Sequence, residues 1–277
     1  MSKAEIFLKS LYGRPATVKT KTSLFNNHVK PYLHYKTPME TVHAACRGWR
    51  EDDLSIGTIK GCMVLLAEYI KFTYGWEFDK KRFMYDYTSD MTRAPTRVKV
   101  WTKPQVQLAL HVASMNDYEL YKVMLMALGT GMRRGEIFGL QWEDINFMDS
   151  TITVSRSRDI ATGAVGPTKT KTSRVIQMSD QVAKMLEKSY NVGDTGFVFP
   201  DYFDPNPALD TLCFNAQVPQ ITFHDLRHTF ATTCLENGMS PKWVSSTLGH
   251  AKLTTTYDIY WQHFQEKVDL ESLYESN

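Results

Sequence analysis

The stretch TFHDLRHTFATTCLENG, residues 222–238, opens on a threonine and closes on a glycine. Thr222 suits a helix N-cap, because a short hydroxyl side chain can accept from the free N–H groups of the first turn. Gly238 suits the stop, since glycine enters left-handed backbone without a Cβ penalty. Between them Phe223, Leu226, Phe230 and Ala231 recur at helical spacing, which predicts an amphipathic helix. His224 and Arg227, three residues apart, share a face at the edge of that apolar stripe. Downstream, SPKWVSSTLG predicts another helix, with Ser240 as cap and Pro241 in the first turn. Upstream, TKPQ begins a helix with Thr102 as cap and Gln105 completing a capping box. YELYKVMLMALGTG reads as a buried helix ending at glycine, and SDQVAKMLEKSY as a further helix. Residues 151–178 change character: TITVSRSRDI, a turn at ATGAVGP, then TKTKTSRVIQM. Both arms are rich in β-branched residues, which predicts a small antiparallel hairpin or three-stranded sheet. The fold class is mainly α with a small antiparallel β-sheet.

Residues 21–84 are also read as helical. KTSLFNNHVKPYL offers Thr22 or Ser23 as a cap, and ETVHAACRGW is periodic. In SIGTIKGCMVLLAEYIKFTYGW, Ile56, Ile59, Met63, Leu66 and Ile70 lie near helical spacing. A polar stretch with two prolines, TSDMTRAPTRVKVWTKP, follows at 88–104 and carries Arg93, Arg97, Lys99 and Lys103; it reads as a basic linker. The expected organisation is a short N-terminal arm at 1–20, a helical domain at 21–87, a linker at 88–101, a second domain at 102–265 and a tail at 266–277.

The chain has 277 residues and a net charge of +2, but the charge is unevenly divided. Residues 1–97 hold 16 Lys+Arg against 10 Asp+Glu, and the rest hold 16 against 20, so the two parts carry +6 and −4. A basic N-terminal part is what phosphate binding wants, because each neutralised phosphate releases counterions. The 43% hydrophobic content reads as globular. No apolar run approaches the roughly 20 residues that span a bilayer, and MSKAEIFLKSLYGR lacks a secretory apolar core. The four cysteines are scattered without CxxC, as expected of reduced thiols in a cytoplasmic protein and not of a disulfide framework or zinc site.

Four segments carry polar groups that can do chemistry. In TGMRRGEIFGLQW, Arg133 and Glu136 lie three apart on a helix expected to begin near Gly131, so Glu136 can orient a guanidinium that grips a tetrahedral anion. HDLRHTFAT holds His224 and Arg227. GPTKTKTSRVIQM puts Lys169 and Lys171 on one face of a strand. LGHAKLTTTYDIYW places His250 just past a glycine, ahead of Tyr257 and Tyr260. Taken singly, each reads better as an exposed ion-pair face, a routine surface pair, a soluble hairpin tip or core packing. Together they supply a phosphoryl-transfer site that works without a metal cofactor. Arginines neutralise non-bridging oxygens, a lysine protonates the leaving oxygen, histidines manage the nucleophile's proton and a tyrosine attacks.

On these residues the chain resembles the tyrosine recombinases, in particular phage-type integrases. The family's T-G-x-R-x-x-E box followed by L-x-W-x-D-I reads here TGMRRGE…LQWEDI. Its H-x-L-R-H-T-x-A-T box reads HDLRHTFAT, its L-G-H reads LGH, and its T-T-x-x-x-Y reads TTYDIY. The resemblance covers roughly residues 100–265 and implies Arg133, His224, Arg227, His250 and the nucleophile Tyr260 as catalytic, with Glu136 in support. Counting back from Arg174, which opens the strand RVIQM, it selects Lys169 as the catalytic lysine with Lys171 as runner-up; Gln177 stands where the family usually has proline. Arg93, Arg97, Lys99, Lys103, Lys171 and Arg174 are candidate DNA contacts.

The resemblance further implies a two-domain clamp on double-stranded DNA, a helical core-binding domain on one side and the catalytic domain on the other. It implies cutting and rejoining through a 3′-phosphotyrosine and a Holliday junction. A homo-tetramer on its recombination sites follows from it, with a possible accessory bending or excision factor, no cofactor and no membrane, in a bacterial or archaeal cytoplasm. The tail is expected to dock on a neighbouring subunit. Alternatives are a type IB topoisomerase, which uses nearly the same residues, or a DNA-binding relative that has lost catalysis.

Overall fold

The computed structural model describes residues 1–13, 15–91, 98–159, 162–168, 172–250 and 254. The chain divides into two compact units, Met1–Thr96 and Arg97–Asn277.

The first unit is all helical: α1 (Lys3–Ser10), α2 (Pro15–Leu24), α3 (Pro38–Glu51), α4 (Ile56–Tyr74) and α5 (Lys80–Thr88). Thr37 caps α3, its hydroxyl accepting from the Glu40 N–H while Glu40 reaches back to the Thr37 N–H. Ser55 caps α4, and Gly75, at φ 65°, ends it. The core holds the predicted α4 stripe of Ile59, Met63, Leu66 and Ile70, packed with Trp49, Phe25 and Val29. Two expectations change. Thr22 and Ser23 cap nothing: α2 starts at Pro15 and runs through them into a π-turn at Phe25–Val29. That wide turn keeps Phe25 and Val29 both fully buried. Nor is the stretch before residue 21 only an arm, because α1 buries Ala4 and Phe7 in this core. The Phe7 ring lies 5.2 Å from Phe25 and 5.4 Å from Tyr69.

The second unit begins within the expected linker. Trp101 is buried, its indole N–H donating to the Pro219 carbonyl at 2.8 Å. Then come α6 (Lys103–Asn116), α7 (Tyr118–Thr130) and α8 (Arg134–Phe138). Gln105 closes back on the Thr102 N–H at 2.8 Å as expected, and Gly131 ends α7 at φ 65°. Strands β1 (Ile145–Asn146), β2 (Thr151–Val154), β3 (Arg156–Arg158), β4 (Val165–Pro167) and β5 (Arg174–Gln177) follow. They form both forms the sequence left open: a three-stranded antiparallel sheet in the order β1-β2-β5 and a separate β3-β4 hairpin. Ile152 pairs with Ile176 and Val154 with Arg174, so β5 begins at Arg174 in fixed register.

Helices α9 (Asp180–Ser189), α10 (Pro205–Ala216), α11 (Phe223–Glu236) and α12 (Pro241–Leu248) complete the unit. The sequence reading did not identify α10, which is capped by Asp204 and buries Leu209, Leu212 and Cys213. On α11, Phe223, Leu226, Phe230 and Ala231 are buried as the stripe requires. This mainly α architecture with a small antiparallel sheet is the one expected. Among the described residues no helix is long and apolar enough to cross a membrane.

Candidate active site

The site forms where α8, β5, α11 and the end of α12 meet. Arg133 does not lie inside a helix that starts near Gly131. It is the N-cap of α8, with extended backbone at φ −71° and ψ 152°. That conformation points its N–H at Glu136, which accepts it at 2.9 Å, while Arg133 Nη1 donates to the same carboxylate at 2.9 Å. From β5, Arg174 adds a fork, with Nη1 donating to Oε1 at 3.1 Å and Nη2 to Oε2 at 2.7 Å. Glu136 is 2% exposed, so its carboxylate is satisfied entirely by protein donors. Burial pushes its pKa up, but the Arg174 hydrogen bonds and charge, followed by Arg133, outweigh that and hold it below the usual carboxylate range.

Arg227 comes up from α11 and is only 3% exposed. Its Nη1 donates to the Gly131 carbonyl at 2.7 Å and its Nη2 to the Leu248 carbonyl at 2.8 Å. Both acceptors are carbonyls at helix C-terminal ends, where orphan C=O groups and the negative end of the dipole favour a cation. Burial first, then the Arg133 charge, lowers its pKa to about 9, so the guanidinium stays charged at neutral pH. Gly131 makes the close approach possible: a Cβ there would meet Phe230 at 2.5 Å and Leu248 at 2.6 Å. Arg133 and Arg174 thus share one carboxylate while Arg227 is held by two carbonyls, so the three guanidiniums leave two positive charges that Glu136 does not balance.

The two histidines lie against these charges. His250 follows Gly249 in the turn after α12, its N–H donating to Ser245 O at 3.1 Å. Its pKa falls to about 4 through burial first and then Arg227 and Arg133, with smaller contributions from His228 and His224. The pKa of His224, on α11, falls to about 4 through burial, His228 and Arg227. Both imidazoles are therefore neutral at pH 7 and able to accept a proton. His228, which the sequence reading passed over, meets the His224 ring edge-on at 4.9 Å. Its buried Nδ1 has no hydrogen-bond partner, and its place four residues after His224 was the available signal.

Arg133, Glu136, His224, Arg227 and His250 are thus brought together. Arg174, expected as a DNA contact, is also here, but its guanidinium is engaged by protein groups. Lys99 and Lys103 are exposed elsewhere on the unit, Lys99 reaching the Gln220 carbonyl at 3.4 Å. Tyr260, Tyr257, Lys169, Lys171, Arg93, Arg97 and the tail at 266–277 lie outside the described residues. Among the described residues no group of three or more His, Cys, Asp or Glu could hold a metal ion.

Comparison with known proteins gives this geometry a family. The chain is 29% identical over 204 residues to a XerC-like tyrosine recombinase of Caldanaerobacter subterraneus subsp. tengcongensis, a match covering 57% of this chain and 52% of that protein. It is 22% identical over 281 residues to the ICEBs1 integrase of Bacillus subtilis, covering 92% and 76%. The chain thus spans about half the length of the first of these and three quarters of the second. Among solved structures, the Tn1549 transposon integrase in complex with a circular intermediate DNA shares the fold, with a TM-score of 0.72 at 19% identity, covering 97% of this chain and 100% of that one. Residues 99–267, which include every part of the site described above, match the phage integrase family model, and the chain belongs to that family of tyrosine recombinases.

Proposed function

We propose that this protein is a site-specific recombinase that cuts and rejoins duplex DNA through a covalent tyrosine intermediate. The observation that carries the reading is the surplus of buried guanidinium charge beside two neutral imidazoles. A phosphodiester passing through a pentacoordinate state gains negative charge on its non-bridging oxygens. Preorganised donors in a partly dry site stabilise that charge strongly. In this reading Arg133 and Arg227 bind the two non-bridging oxygens. The Tyr260 phenol oxygen attacks phosphorus, its proton passing to a neutral imidazole of His224 or His250. The bond from phosphorus to the 5′-oxygen breaks, and Lys169 protonates that leaving oxygen to give a free 5′-hydroxyl. The phosphotyrosine keeps the bond energy, so a 5′-hydroxyl from a partner duplex reverses the step and strands exchange through a Holliday junction.

The partner is double-stranded DNA carrying the recombination site of a phage or other mobile element. The assembly is a tetramer on two such sites, with the tail at 266–277 docking on a neighbouring subunit and an accessory bending or excision factor as a further partner. The solved Tn1549 integrase complex with circular intermediate DNA supports this class of substrate. The test uses a nicked suicide duplex from the junction of the parent element. The expected result is a covalent protein–DNA adduct that survives denaturant and forms equally in EDTA. A supercoil-relaxation assay beside a two-site recombination assay separates the topoisomerase reading: joined product supports recombinase, relaxation alone supports the alternative. Loss of assembly on truncation after Gln265 is expected if the tail docks in trans.

A further inference from the structure

Arg174 sits at the first position of β5, where a basic residue near a DNA-cutting site would ordinarily be read as a phosphate contact. Its geometry is different. The guanidinium turns inward, with a side chain 10% exposed. Both Nη atoms grip Glu136, and Nε donates to the Thr247 carbonyl at 2.6 Å. Thr247 begins a run of three carbonyls at the end of α12, each taken by a different guanidinium. Arg174 takes Thr247, Arg227 takes Leu248 at 2.8 Å and Arg133 takes Gly249 at 3.3 Å. The next residue is His250. Gly249, at φ 65°, packs directly on the Arg174 side chain; a Cβ there would lie 3.0 Å from Nη1 and 3.2 Å from Cδ.

We infer that Arg174 is a positioning residue, which clamps the last turn of α12 to Glu136 and so sets both the Arg133 fork and the turn that presents His250. This rests on the recombinase reading for its catalytic consequence. The planar fork is essential to it, because its spread donors reach both Glu136 oxygens and the Thr247 carbonyl from separate nitrogens, which a single ammonium nitrogen cannot do in the same geometry. Lysine keeps the charge and loses that geometry. A change caused by Arg174→Lys therefore reports position and not net charge.

The test compares the wild-type chain with Arg174→Lys and, from the other side of the same contact, Gly249→Ala, which forces a Cβ against the guanidinium at a φ that favours glycine. Single-turnover cleavage at saturating DNA is expected to fall about 10²-fold, the usual consequence of an ångström-scale misplacement. In Arg174→Gln, which removes the charge, DNA affinity measured across salt concentrations is expected to keep the wild-type slope, whereas a lost phosphate contact lowers the slope by about 0.9. NMR titration of His250 is expected to move up from about 4 towards the ordinary histidine value in both Arg174→Lys and Gly249→Ala. A reduced salt slope in Arg174→Gln overturns the inference in favour of direct phosphate contact. Unchanged His250 titration with cleavage within about threefold of wild type overturns it in favour of plain scaffolding, even if the melting temperature drops. If the wild-type chain forms no adduct with any DNA, the recombinase reading fails by itself, and the His250 titration still decides whether Arg174 holds the turn.

Discussion

Two buried places in this protein are built on opposite principles. In the helical unit Trp49, Phe25 and Leu66 are fully buried among other apolar groups. In the second unit Glu136 and Arg227 are almost as buried, yet every contact that fixes them is polar and directional. The first kind of burial is driven by area and tolerates changes that keep volume. The second is held by matched donors and acceptors, and removing one partner strands the rest. A protein that must receive a phosphate needs the second kind, because its cations have to be in place before the anion arrives.

The largest break in this contrast is Glu136→Gln. It removes the one charge that Arg133 and Arg174 share, and the loss of stability expected in urea denaturation is about 3–5 kcal/mol. The matched change in the apolar core, Leu66→Met, is expected to cost less than about 1.5 kcal/mol. Leu66→Ala opens a cavity and is expected to cost about 2–5 kcal/mol, but without altering the adduct yield of molecules that remain folded. Equal costs for Glu136→Gln and Leu66→Met would erase the distinction between the two regions.

Acid sharpens the comparison, because only the polar cluster titrates. His224 and His250 have folded pKa values near 4, below the ordinary histidine value of about 6.5. The unfolded chain therefore binds protons first, and stability present above about pH 6.5 is lost as pH falls towards 4. Glu136 has the same sign: its folded pKa is depressed, so its contribution is full above the unfolded carboxylate value of about 4.3 and disappears as pH falls through the folded one. Thermal melts between pH 7 and 4 should show the decline beginning well above carboxylate pH. Bound phosphate should blunt it by raising the histidine values. The smallest effect is expected at the exposed Lys99 and Lys103. Replacing either by alanine should lower the salt slope of DNA binding by at most about one, with little change in cleavage at saturation.

The contrast also explains what the sequence disclosed. The apolar stripes of α4 and α11 were legible because burial by area leaves a periodic trace, and the caps at Thr102, Ser240 and Gly131 follow from chain chemistry alone. Helix α1 was read as arm because its eight residues bury only Ala4 and Phe7, too short a pattern to register. Helix α10 begins in DPNP, which reads as turn chemistry until Asp204 is seen to cap it. In the site, motif spacing picked out Arg133, Glu136, His224, Arg227 and His250. Spacing could not show that Arg174 turns inward, since its acceptors, Glu136 and the Thr247 carbonyl, come from 38 residues before it and 73 after. The N-cap position of Arg133 was missed for a related reason. A helix of five residues has no period to read, and the decisive bond is a backbone N–H donated to its own third neighbour.

The proposed mechanism assigns the nucleophile to Tyr260, served by the arginine and histidine cluster, and not to its neighbour Tyr257. The most direct measurement is covalent trapping on nicked suicide DNA with wild type, Tyr260→Phe and Tyr257→Phe in parallel. Tyr260→Phe is expected to bind the DNA normally and yield no adduct, while Tyr257→Phe still forms one. An adduct that persists in Tyr260→Phe would contradict this assignment.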